Sequence, residues 1–84
     1  MQQTFVKSIH SYAVEFDRLL YPVRYKVFIR LDNKNPVVAE ISKDEDHCWF
    51  VSKNESASYL VDELVDELID VIKENESKTV LESV

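Results

Sequence analysis

The chain has 84 residues and a mass of 9.9 kDa, with 45% apolar residues, 31% charged residues and a formal net charge of −6. That size leaves room for one small core, and the balance of apolar to charged residues is that of a folded chain rather than a disordered one. Glycine is absent, which excludes Gly-rich phosphate loops and dinucleotide fingerprints, because both need backbone without a Cβ against a pyrophosphate.

In chain order, the first predicted element is a helix from about Thr4 to Leu20. Phe5, Ile9, Tyr12, Ala13, Phe16 and Leu20 recur at spacings of three and four, as one stripe of a 3.6-residue helix does. Thr4 suits the N-cap, and Pro22 stops the helix. Three strands are predicted next. Tyr25, Val27, Ile29 and Leu31 alternate with Lys26, Phe28 and Arg30 over residues 24–31. A turn without glycine, Asp32 to Pro36, leads to Val37–Ser42, and an acidic turn, Lys43 to Asp46, leads to Cys48–Ser52. The last element is a helix capped by Ser56 or Ser58 and running to about Asn75. Leu60, Val61, Leu64, Val65, Leu68, Val71 and Ile72 form its apolar stripe.

The expected fold is therefore α+β. Two layers in the order α-β-β-β-α set a three-stranded antiparallel meander under two helices on one face. Residues 1–76 form the single domain. Residues 77–84 form a C-terminal tail in which Val80, Leu81 and Val84 can dock, Val80 and Leu81 over the open face of the sheet.

This order and length resemble the double-stranded RNA-binding domain. The resemblance implies lysines at the start of the second helix, where positive charge meets phosphate. Here residues 55–63 carry Glu55, Asp62 and Glu63 and no base, so RNA binding through that surface is not expected. In size, acidity and mixed composition the chain is also similar to small phage proteins that imitate DNA, including anti-CRISPR inhibitors. Such mimics share a charge pattern rather than a motif.

Charge is unevenly placed. Residues 1–42 balance at +2 and residues 43–84 at −8, an asymmetry that points to a basic partner. On the last helix Asp62, Asp66, Asp70 and Glu74 step by four, with Glu63 and Glu67 alongside. Each step rises about 6 Å, a spacing similar to that of phosphates along one nucleic-acid strand. Like charges four apart oppose a helix by about 0.2–0.5 kcal/mol per pair, and an unrelieved stripe therefore suggests a use. Asp44, Glu45 and Asp46 would extend the negative surface. The competing explanation is a solvated helix face that serves solubility.

A second candidate surface is the outer face of the sheet, where Lys26, Phe28, Arg30 and Trp49 would combine aromatic and basic groups. Whether Trp49 or Phe50 lies outside turns on a one-residue register. Catalytic signals are poor. His10 and His47 have no nucleophile beside them, and Cys48, next to His47 on a strand, points to the opposite face. No cofactor and no metal are expected. A lone cysteine excludes an internal disulfide and suggests a reducing, cytoplasmic setting. No apolar run reaches the roughly 18 residues of a membrane span, and Met1 to Tyr12 lacks the form of a signal peptide.

The function expected from these features is non-catalytic. A small acidic inhibitor or adaptor of phage or mobile-element type would bind a protein with a basic surface, such as a nucleic-acid-binding enzyme. Neither nucleic acid nor membrane is expected as a direct partner. The alternative is a homodimeric regulatory module that uses the aromatic sheet face.

Overall fold

A computed structural model describes residues 3–83. Five strands precede one helix: β1 Gln3–Ile9, β2 Tyr12–Leu19, β3 Arg24–Ile29, β4 Val37–Lys43, β5 Trp49–Asn54 and α1 Tyr59–Ser83. All neighbours pair antiparallel in sequence order, so the sheet is a plain meander. The strands expected at 24–31, 37–42 and 48–52 are present as β3, β4 and β5. The expected count of three strands under two helices is not, because residues 3–19 form a hairpin where a helix was predicted. With that helix goes the α-β-β-β-α order, and with the order goes the resemblance to the double-stranded RNA-binding domain.

The reason lies in arithmetic shared by the two periods. A spacing of four is one helical turn and also two full strand repeats. Phe5 to Ile9 and Tyr12 to Phe16 satisfy both, and the two-residue turn at His10-Ser11 supplies the intervening three. Val14, which breaks the helical stripe, is fully buried between Tyr12 and Phe16. His10 and Ser11 have φ of 48° and 72°, the left-handed backbone that a two-residue hairpin requires and that Asn-Gly normally supplies. Pro22 sits in the β2–β3 turn, where Arg24 Nη1 donates to the carbonyls of Leu20 and Pro22 at 3.2 and 2.9 Å.

One face of the sheet carries the core. Val14 and Phe16 of β2, Tyr25, Val27 and Ile29 of β3, and Val37, Ala39 and Ile41 of β4 are buried. Against them α1 sets Leu60, Val61, Leu64, Leu68 and Ile72. Phe5 stacks on its cross-strand partner Phe16 with ring centroids 5.1 Å apart, a pairing that adds to sheet stability beyond burial. Ser58 caps the helix by accepting from Leu60 N at 3.2 Å. Asn54 grips Ser58 on both sides, donating to its carbonyl at 3.0 Å and accepting from its N–H at 3.2 Å. The helix then runs through Ser83, so residues 77–83 continue it. The side chains of Val80 and Leu81, expected over the sheet, and all of Val84 lie outside the described residues.

Candidate functional site

The helix divides its labour by angle. With its buried stripe turned to the sheet, the opposite side carries Asp62, Glu63, Asp66, Asp70 and Glu74, all exposed. Asp62 to Glu74 is twelve residues, an axial run of about 18 Å. Glu67 stands at the border of this face, half-buried, with Oε1 2.9 Å from His10 Nε2 in the first hairpin turn. That hydrogen bond holds the Glu67 carboxyl below its usual range. Glu74 pairs with Lys78 one turn on, at 3.2 Å. Asp62, Glu63, Asp66 and Asp70 have no ion-pair partner among the described residues.

The acids of the β4–β5 turn, Asp44, Glu45 and Asp46, precede the residues that face α1. Asp44 Oδ1 accepts from the backbone N–H groups of Asp46 and Cys48, both at 2.9 Å, so this carboxylate organises the turn. Glu45 and Asp46 are exposed. A groove separates the turn from the helix. His47, Cys48 and Trp49 line one wall, and Asp66, Ile69, Asp70 and Lys73 line the other. Among the described residues no group of three or more His, Cys, Asp or Glu is arranged to hold a metal ion.

The second candidate surface is divided by the register. Glu15, Phe28 and Val38 share a row on the face away from the helix, and Asp17, Lys26 and Glu40 share the next. Lys26 lies 5.8 Å from the Phe28 ring centroid. Arg30 follows β3 and pairs with Glu15 at 3.3 Å. Trp49 is not with them. It faces the helix side, edge-on to Tyr25 with centroids 5.7 Å apart and with Lys43 Nζ 5.1 Å from its ring. Phe50, 44% exposed, takes the outer place, because Phe50 pairs with Ser42 and Trp49 with Lys43.

Sequence reasoning passed over a polar cluster at the far end of the core. Arg18 meets Glu76 with both arms, Nε at 2.6 Å and Nη2 at 3.2 Å. The buried Tyr25 hydroxyl also donates to Glu76, and accepts from Asn75 Nδ2 at 2.8 Å. Asn75 in turn donates to Gln3 at 3.0 Å. Burial and the bond to Glu76 push the Tyr25 hydroxyl up to about 12. Burial works against ionisation of Glu76, yet the bonds from Arg18 and Tyr25 outweigh it and the carboxyl sits below its usual value. The Arg18 guanidinium is raised in return, first by its bond to Glu76. This cluster ties the helix to β1, β2 and β3. Its sequence signal is a carboxylate turned toward the apolar side of the helix.

Fold and site together define an α+β chain of five antiparallel strands and one long helix, acidic on its outward side. Comparison with protein families, curated proteins and solved structures finds no match. No helix of the described residues is long and apolar enough to cross a membrane.

Proposed function

We propose that the chain is a non-catalytic binding protein that presents the acidic face of α1 to a basic surface of a partner protein, of the kind that otherwise holds a nucleic-acid backbone. The observation that carries this reading is where the molecule leaves carboxylates unpaired. Glu15, Glu40, Glu55, Glu67, Glu74 and Glu76 each have a cationic or imidazole partner within 4 Å. Asp62, Glu63, Asp66 and Asp70, adjacent on one exposed face, have none among the described residues. An array of this kind attracts a basic groove at long range and loses that attraction as salt rises. Asp44, Glu45 and Asp46 border the same surface across the groove.

Affinity capture from lysate at low salt, with a rising salt gradient, tests the reading. A nucleic-acid-binding protein released at moderate salt, and no longer captured by the D66K/D70K variant, is the expected result. Unchanged capture by that variant sinks the proposal. The exposure of Phe50 favours a second reading, binding through the outer sheet face. It predicts salt-insensitive association that Phe28→Ser and Phe50→Ser abolish.

A further inference from the structure

We propose that two copies of the chain join edge to edge through β1, antiparallel about Val6, to make one continuous sheet. This does not rest on the acidic-face reading. Direction of the backbone groups is the starting point. Arg30 N donates to Ala13 O at 3.0 Å, so Ala13 points its backbone toward β3. Direction alternates along a strand, and Tyr12, Val14 and Phe16 therefore point theirs toward β1. Their partners Ile9, Lys7 and Phe5 point back at β2. Thr4, Val6 and Ser8 are left with N–H and C=O aimed outward from the sheet.

Those three residues are symmetric about Val6, and a second copy of this chain is what they fit. In an antiparallel pair centred there, Val6 bonds the partner's Val6, and Thr4 bonds Ser8 of the partner subunit. Every outward backbone group of the three is used. Lys7, the single charged side chain of β1, then lies opposite the partner's Phe5 on the helix side. Centring on Lys7 would set two ammonium groups against each other, and centring on Phe5 would carry Ser8 past the end of the partner's β1. Val6 is 58% exposed, and the Val6 pair would extend the row of Glu15, Phe28 and Val38 across both copies.

The two edges of the sheet differ in the way an interface requires. Each edge strand carries one lysine, Lys7 on β1 and Lys53 on β5, but β5 is also interrupted by a register shift opposite Glu40 and Ile41, a device that discourages strand addition. β1 pairs with β2 over its whole length without a shift, so its edge is regular. On the helix side Lys7 is exposed, in a groove whose other wall is Val71, Glu74 and Lys78 of α1.

Sedimentation equilibrium and oxidative crosslinking test the proposal. The expected mass at high concentration is twice 9.9 kDa. Val6→Pro removes one outward N–H at a position where an edge strand tolerates proline, and should return the mass to that of one chain with an unchanged far-UV CD spectrum. If that variant fails to fold, crosslinking decides. In a C48S background, Val6→Cys places two thiols on facing residues about 5.5 Å apart at Cα, within the range a disulfide spans. Oxidised glutathione should then give a covalent dimer. Ser8→Cys places them about 13 Å apart and should not. A single chain at every concentration overturns the proposal, as does a dimer that survives Val6→Pro or crosslinks equally at both positions.

Discussion

Replacing Glu76 by glutamine probes the corner where the helix is fastened to the sheet. The Arg18 and Glu76 side chains are only 15% and 18% exposed, and the substitution leaves a guanidinium in that setting without its counter-ion. Removing one partner of a fully buried pair costs about 3–5 kcal/mol. Water still reaches both groups here, so the expected loss is about 2 kcal/mol. An 84-residue chain has roughly 4–12 kcal/mol of stability to lose, and at a urea slope of about 1 kcal/mol/M the midpoint should fall by about 2 M. Trp49 fluorescence is the reporter, since its ring packs on Tyr25. The pH limbs supply a second readout. The Glu76 carboxyl is lowered from 4.5 in the folded state. Its contribution is therefore complete above pH 4.5 and disappears as pH falls through the folded value. That acid slope should be missing from the variant. Tyr25 is raised from 10.0 to about 12, so its contribution holds below pH 10 and is lost between 10 and 12. With screening at the hydroxyl end, a loss of about 1–2 kcal/mol is expected over that interval. A midpoint within 0.5 M of the parent, or an unchanged acid slope, would refute the reasoning.

Two further expectations concern backbone. Ser11 holds φ of 72°, a conformation that costs an L-residue about 1–2 kcal/mol; Ser11→Gly should stabilise the first hairpin by about 1 kcal/mol after the added freedom of the unfolded chain is set against it. A thermal midpoint below that of the parent would contradict this. Ser58→Ala removes the acceptor for Leu60 N and should cost about 1 kcal/mol, read by urea titration. No loss there would mean that Asn54 alone holds the start of the helix.

The alternation of Tyr25, Val27 and Ile29 identified β3 and its buried face, because apolar residues at every second position, set among Arg24, Lys26 and Arg30, fit one period only. The stripe of α1 was legible for the converse reason, since pairs such as Leu60-Val61 and Val71-Ile72 occur on a helix face and not in a half-buried strand. The first hairpin was hidden because its spacings of four belong to both periods and its turn carries none of the usual residues. With no glycine in the chain, His10-Ser11 gave no warning of a reversal. Trp49 and Phe50 were undecidable for a similar reason, as a single step of register exchanges their faces. The cluster around Glu76 depends on Arg18 lying on β2, a placement that a helix over residues 4–20 does not give.

The acidic face itself was legible, and the structure explains why it is free to carry charge. Among the described residues, α1 packs through side chains that turn toward the sheet, with Glu76 and Asn75 the polar fasteners at the far end of the core. The outward residues Asp62, Asp66 and Asp70 contribute nothing to that packing, and as like charges four apart they oppose the helix by a few tenths of a kcal/mol per pair. Asp62, in the first turn, is favoured by the helix dipole, but fold stability gives no such reason for the sign of Asp66 and Asp70. The same positions filled by alternating Glu and Lys would favour the helix and keep the surface hydrated. What sets this face apart is that Asp62, Glu63, Asp66 and Asp70 lie side by side and unpaired among the described residues, and it is this array that the proposed contact with a basic partner would use.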